Sequence, residues 1–276
     1  TELLNKKGVL SFIIPNGLLR TTTYDTARKF ILERTSIERI VDLKEGVFEG
    51  VTASTIIMNL INNSTKRDTL IIDAHCKIDG FIDESKTTKI KQSNFLDNVS
   101  HAFSLYINPK EQKLFKKLTS SNFYLKDINS DIIEGIVAHK KFISNKPLTN
   151  EYKPMLEGKD IKMYQSNFGG NYVLFNRKKI HRARPDHIWE ADKKIVIQRI
   201  SGGTSPLVNT IDKDKYLAFA STNLLLIKKE YVSSYPYELI SALINSKLWN
   251  FYYYKNFTNG SNLTVNISKT FLEMLP

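Results

Sequence analysis

The sequence predicts an α/β unit, the tail of a doubly wound sheet, followed by a second unit of the α+β kind. Three observations carry this. Strand-length runs rich in Ile and Val alternate with one amphipathic helix up to residue 75, a polar stretch without periodicity follows from residue 77, and beyond it short strands bounded by glycine turns precede a long apolar helix.

In the first unit, Leu3 and Leu4 read as the end of a helix stopped by Gly8. Residues 9–14 form an apolar strand, and Pro15, Asn16 and Gly17 break it. A helix is expected next. Tyr24, Ala27, Phe30 and Ile31 recur at three- and four-residue spacing with Arg28, Lys29 and Glu33 on the other side, so the first set should face the sheet. Residues 37–43, 53–61 and 69–74 are continuous apolar runs, which suit strands buried on both faces of a parallel or mixed sheet. The expected organisation is residues 1–76 as the first unit, 77–102 as a linker or crossover, and 103–276 as the second unit.

The second unit opens with a helix at Pro109–Leu118, where proline is favourable in the first turn. Strands are expected at 171–175, 194–200, 207–211 and 224–228, a short helix at 185–191, and turns at Gly169-Gly170 and Gly202-Gly203. Tyr237, Ile240, Leu243, Ile244, Leu248, Phe251 and Tyr252 keep helical spacing, which predicts one long closing helix on the sheet. No repeat or low-complexity tract occurs.

Length and composition exclude several classes. A chain of 276 residues suits two domains and needs no staple; the single Cys76 cannot form an internal disulfide, and His/Cys metal spacing is missing. The longest apolar stretches, 9–15 and 53–61, are strand-sized, well short of the roughly 18 residues of a membrane span. Lys6 and Lys7 precede a strand instead of a secretory apolar core, and the first residue is Thr1. A cytoplasmic location, no membrane partner, and a piece of a longer polypeptide are the expectations.

The net charge of +12 is unevenly spread: residues 1–75 hold 10 basic and 9 acidic residues, whereas 76–276 hold 30 and 19. A basic unit joined to a nearly neutral one points to a polyanion, because Lys and Arg along phosphates release counterions. Within it, Arg177, Lys178, Lys179, Arg182, Arg184, Lys193, Lys194 and Arg199 stand among Phe175, His181, His187 and Trp189, the mixture that contacts both phosphates and base edges. Trp189 itself reads as a core anchor of the short helix.

Catalytic signatures are missing: no phosphate-cradling Gly-x-x-x-x-Gly-Lys loop, no Gly-x-Ser-x-Gly elbow and no dinucleotide fingerprint. Pro185-Asp186 followed by Asp192-Lys193-Lys194 is nuclease-like, since two acids and a lysine can hold Mg²⁺ and a water. The gap is short, however, and Asp186 sits where a helix should start.

The run Lys7 to Asn16 (KGVLSFIIPN), Tyr24 to Arg28, Ile40-Val41-Asp42-Leu43, Val47-Phe48-Glu49 and Ser54-Thr55-Ile56-Ile57 resembles the closing part of adenine-N6 DNA methyltransferase domains, most closely the type IIG, Eco57I-like restriction-modification polypeptides. Ile132-Ile133-Glu134-Gly135-Ile136, Leu156 to Ile161 (LEGKDI), Lys194-Ile195-Val196, Ser221-Thr222-Asn223 and Leu243 to Leu248 (LINSKL) then follow in the order of a TaqI-like target recognition domain.

The resemblance implies a Rossmann-like methyltransferase sheet ending in this chain, a target recognition domain after it, double-stranded DNA as partner, and S-adenosylmethionine as cofactor of the intact enzyme. The family's catalytic tetrapeptide and its methyl-donor motif are absent from the sequence, so both are expected in an upstream methyltransferase half, and the chain alone should be inactive. Magnesium would be needed only by an upstream nuclease domain. Phe48 matches the aromatic that stacks on a flipped adenine. Pro15 and Asn16 match a strand-end pair that walls the active site, and Gly158-Lys159-Asp160 a recurrent turn where Lys159 can contact a phosphate. Two alternatives remain open: a stand-alone specificity subunit without catalysis, and a fragment of a BREX or type I modification methyltransferase.

Overall fold

A computed structural model describes residues 3–44, 46–50, 53–63, 65, 68–74, 77–78, 81–83, 87–258 and 264–276; His75 and Cys76 lie outside them. The chain divides into two compact units, Thr1–Ile107 and Asn108–Pro276.

Unit 1 contains β1 (Val9–Pro15), α1 (Asp25–Arg34), β2 (Ser36–Lys44), β3 (Thr55–Ile61), β4 (Asp68–Asp73) and β5 (Thr88–Lys91). They form one sheet in the order β1-β3-β2-β4-β5, with β2 and β4 parallel and the other neighbouring pairs antiparallel. The Ile-rich runs thus became a mixed sheet, and Ile37, Ile40, Ile56, Met58 and Ile71 are buried with Leu32, Phe95 and Phe103.

Three expectations need correction. Leu3 and Leu4 stand in a turn rather than a helix. The phase of α1 is wrong: Tyr24 and Phe30 are exposed, whereas Arg28 and Leu32 are the buried pair. Arg28 can be inside because four N–H contacts reach carbonyls: Nη1 donates to Leu18 O and Thr21 O at 2.9 Å each, Nε and Nη2 to Ser100 O at 3.0 and 2.7 Å. A buried charge is tolerated when it is hydrogen-bonded in this way; burial still draws the guanidinium pKa down. Finally, 77–102 is more than a linker, since β5 pairs with β4 and the Gln92 side chain bonds Ile37 N and Thr35 O at 2.9 and 2.8 Å.

Unit 2 begins with α2 (Pro109–Leu118), whose Asn108 and Glu111 form a capping box. Its main sheet contains β6 (Asn129–Glu134), β7 (Lys194–Gln198), β8 (Asn209–Asp212) and β9 (Thr222–Ile227) in the antiparallel order β8-β7-β9-β6. A second sheet joins Leu217–Ala218, Tyr152–Leu156, Tyr172–Leu174 and Ile143–Ser144, and between the sheets Met155, Val173, Ile188, Val196 and Leu224 share one core with Trp189 of the short helix α3 (Asp186–Glu190). Gly170 and Gly203 take positive φ, 79° and 74°, in the two expected turns.

The closing helix is two helices, α4 (Tyr237–Asn245) and α5 (Lys247–Phe257). Ser246 breaks them: its backbone is extended (φ −66°, ψ 149°) and its Oγ accepts from Trp249 N at 3.1 Å, capping α5. The break matters for the sheet. Asn245 exchanges two 3.0 Å bonds with the backbone of Asn209, and Asn250 takes Leu207 N at 2.7 Å and gives to Leu207 O at 3.3 Å. Amide side chains therefore stand in for the neighbour that edge strand β8 lacks, closing a row of unpaired backbone groups.

Lys194, the first residue of β7, is 0% exposed and directly opposite Asp212 of β8, with Nζ to Oδ2 at 2.5 Å. Removing one member of such a pair leaves a bare buried charge. Lys194→Met should lower the unfolding free energy by roughly 3–5 kcal/mol, while Lys194→Met with Asp212→Leu should recover most of the loss. Urea denaturation of the chain and both variants checks this.

Candidate nucleic-acid interface

The basic residues expected to act together are sorted by the sheet into different places. β7 runs from Lys194 to Gln198, about 17 Å at 3.3 Å per residue. Lys193 and Lys194 lie at its start, where Lys193 donates to Glu238 of α4 at 2.7 Å and Lys194 is buried. Lys194 therefore leaves the expected DNA-contact set, because its ammonium is held by Asp212 inside the unit. Arg199 lies past the opposite end.

At that opposite end a cleft of about 440 Å³ is lined by Glu134, Arg184, Arg199, Asn223, Asn266 and Lys269. Glu134 ends β6 and pairs with Asn223 of β9, so its carboxylate stands at the mouth of the sheet. Arg199 Nη2 lies 2.6 Å from Glu134 Oε1, Arg182 Nη1 3.0 Å from Oε2, and Arg184 Nη2 3.7 Å from Oε2. Arg184 Nε also donates to the Glu134 carbonyl at 2.8 Å. Burial lowers the Arg184 guanidinium pKa and the Glu134 carboxylate opposes that.

Local backbone explains the convergence. Val137 N donates to His181 O at 3.0 Å, which ties the loop carrying Arg182 and Arg184 beside the end of β6. Both arginines adopt left-handed φ, 61° and 62°. For residues with a Cβ this costs about 1–2 kcal/mol each and is tolerated where surroundings impose it. Arg199 N donates to Ser221 O and Ile267 N to Arg199 O at 2.9 and 2.8 Å, and Asn223 Nδ2 donates to Ile267 O at 2.7 Å. These bonds bring the segment with Asn266 and Lys269 to the cleft. Lys269 also lies 3.6 Å from Glu273.

The remaining predicted contacts are scattered. Arg177 pairs with Asp186, and Lys159 with Glu157 at 2.7 Å, which raises the Lys159 pKa chiefly through that hydrogen bond. Lys178 and Lys179 are exposed with no ion-pair partner among the described residues. Gly158-Lys159-Asp160 is a tight turn in which a Cβ on Gly158 would lie 2.7 Å from Ser221 O. The nuclease-like set is dispersed as well: Asp186 to Arg177, Asp192 to Lys215, Lys194 to Asp212. Trp189 is buried, its Nε1 donating to Ala183 O at 3.0 Å. A second concavity of about 700 Å³ is lined by Lys247, Leu248, Phe251, Tyr254 and Lys255 of α5 together with Thr204 and Ser205.

In unit 1, Pro15 and Lys44 both pair with Thr55, so the strand end at Pro15-Asn16 and the loop 46–50 leave the same edge of the sheet. Asn16 N donates to Ser54 O at 2.9 Å. This is the carboxyl edge of β1, β2 and β4, where open α/β sheets build sites. Phe48 is 47% exposed there, beside exposed Val47, and is not a core anchor. Asp42 on the same edge takes the Lys44 ammonium at 2.7 Å and the Tyr106 hydroxyl at 2.5 Å, and Lys44 lies 3.6 Å from Asp73; burial and then Asp42 push the Tyr106 pKa up. Sequence reasoning missed Glu134 and Lys269, since an acid in a basic region and a lysine 70 positions downstream carry no local signal.

Residues 153–276 match the TaqI-like C-terminal specificity domain family, and residues 1–48 match the Eco57I restriction-modification methylase family. Both are the families that the sequence resembles. No curated protein matches. Among solved structures, the chain is similar to the type IIL restriction-modification enzyme MmeI in complex with DNA, at TM-score 0.58 and 9% identity over 98% of this chain and 39% of that one. It is also similar to the DrdV–DNA complex, at TM-score 0.54 and 11% identity over 91% and 35%. These likenesses extend to the fold, and the chain spans less than half the length of either enzyme.

The end of β6 depends on backbone approach. A Cβ on Gly135 would lie 2.2 Å from Phe219 O and 2.3 Å from Ala218 O. Gly135→Ala must therefore part backbone from backbone, and should cost more than about 2 kcal/mol. A urea midpoint unchanged from wild type would show that the approach is looser than described.

Proposed function

We propose that this chain is the sequence-reading end of a site-specific adenine-N6 DNA methyltransferase of a restriction-modification system, type IIG in organisation. Unit 2 binds double-stranded DNA through the Glu134 cleft. The observation that carries this is the convergence of Arg182, Arg184 and Arg199 on the Glu134 carboxylate, beside a concavity that Arg184, Arg199 and Lys269 line. Guanidinium forks suit phosphates and guanine edges. Lys178 and Lys179 add phosphate contacts, while the ion pairs of Lys159, Arg177 and Lys193 make them weaker candidates.

Unit 1 closes a methyltransferase sheet whose upstream half lies in the same polypeptide. The support is edge strand β1: Val9, Phe12 and Ile13 are 57, 58 and 46% exposed, and among the described residues β1 is paired on one side alone. An apolar strand bare at an edge suits burial against a further strand. This favours a methyltransferase part over a stand-alone specificity subunit. Phe48, at the shared edge with Pro15 and Asn16, is the aromatic that stacks on an adenine turned out of the duplex.

The residues present do not fit S-adenosylmethionine. The acids at the carboxyl edge, Asp42 and Asp73, are engaged with Lys44, and the sequence has no glycine-rich loop after a strand. The methyl donor therefore belongs to the upstream half, as would any magnesium-dependent endonuclease; among the described residues no group of acids and histidines gathers to hold a metal. Those described residues contain no helix long and apolar enough to cross a membrane, compatible with work on DNA in the cytoplasm.

Binding to a labelled random-sequence duplex across a salt series tests the reading. Affinity should fall steeply with salt, and Lys178→Ala, Lys179→Ala and Lys269→Ala should each make the log–log slope shallower by up to about 0.9. Equal slopes for wild type and the variant carrying all three substitutions would remove these residues as phosphate contacts.

A further inference from the structure

Most surfaces that attract phosphates gain from having no acid among their arginines, yet here three guanidiniums share one carboxylate. We infer that Glu134 is a positioning residue for base readout, holding Arg182 so that its free fork edge meets guanine. The inference rests on the reading of unit 2 as a DNA-reading domain and goes beyond it by naming the reader, the residue that aims it and the base.

Phosphate attraction needs charge but little direction, whereas base edges demand a fixed donor geometry. Glu134 supplies direction at the expense of charge. Of the Arg182 guanidinium, Glu134 holds Nη1 alone among the described residues, leaving Nη2 and Nε, and the Arg182 side chain is 51% exposed. Arg184 is tied to the Glu134 carbonyl through Nε and is the least exposed of the three; Arg199 Nη1 is 3.3 Å from Ala220 O. These two arginines brace the carboxylate from either side and Arg182 projects from it. Stability does not account for the Arg182 pair, because its guanidinium is on the exposed side of the cluster and exposed ion pairs contribute little. A fork with two free donors matches O6 and N7 of guanine in the major groove.

The test uses the 276-residue chain, a randomised duplex pool and sequencing of the bound fraction, for wild type, Glu134→Gln and Arg182→Lys. Wild type should enrich sites with a fixed guanine. Arg182→Lys keeps the charge and loses the fork, so that preference should drop roughly tenfold or more while the salt slope stays unchanged. Glu134→Gln should weaken the same position while total binding to the pool is unchanged or several-fold tighter, with the melting temperature measured alongside. Wild-type enrichment in Glu134→Gln, or changes at different positions in the two variants, overturns the inference. Should Glu134→Gln fail to fold, unaltered enrichment in Arg182→Lys overturns it and a lost guanine preference supports it. Salt-dependent binding without any enriched position in wild type overturns it but leaves the DNA surface standing; absence of binding overturns both.

Discussion

Glu134 accepts the charge of three arginines that enter from two directions, and the geometry of unit 2 around the cleft follows from what that requires. The carboxylate has to stand at the end of β6, so the chain turns at Gly135 against the carbonyls of Ala218 and Phe219, where a side chain has no room. Arg182 and Arg184 have to come back beside it, so their loop is tied to Val137 and takes left-handed backbone at both positions. Arg199 has to arrive from β7, two strands away, so the chain after Gln198 is gripped by Ser221 and Ile267. The cleft is thus a product of the sheet's order, in which residues 48 and 65 positions apart in the chain share a single acceptor.

Polar groups add to the apolar packing inside both units. Arg28 closes unit 1 by drawing carbonyls from two turns and a distant loop onto one guanidinium. In unit 2, Asn245 and Asn250 complete the edge of the sheet, and Lys194 with Asp212 forms a dry pair at its other end. Arg28 and the two asparagines are tolerated because their hydrogen-bond partners are in place, while Lys194 and Asp212 have each other as an ion pair, and breaking that pair costs more than it contributes. They also fix register: a one-residue slip of β8 would part Lys194 from Asp212 and Asn209 from Asn245 together.

The strands of unit 1 were legible because continuous Ile and Val runs leave few alternatives to a buried sheet, and α2 because Pro109 marks its first turn. Periodicity misled where a polar residue was the buried one: the phase of α1 follows Arg28, one of whose partners, Ser100, is 72 positions away. The long closing helix concealed a break because Ser246 lies within an apolar period and its capping role shows only when Trp249 N turns to it. At the proposed site, basic density pointed to residues 177–199 but did not separate the arginines that meet Glu134 from the lysines that do not. Lys194 looks like Arg199 in sequence, yet one faces Asp212 inside and the other Glu134 at the cleft, since they sit at opposite ends of one strand. Glu134 itself was quoted only within an apolar motif.

Hydrogen–deuterium exchange of the chain with and without the random duplex pool tests the account most directly. Bound DNA should protect the peptides covering residues 132–136, 181–184, 199–203 and 266–270, the four segments that meet at the cleft. Protection confined to residues 247–255 along α5, with those four segments unchanged, would contradict it.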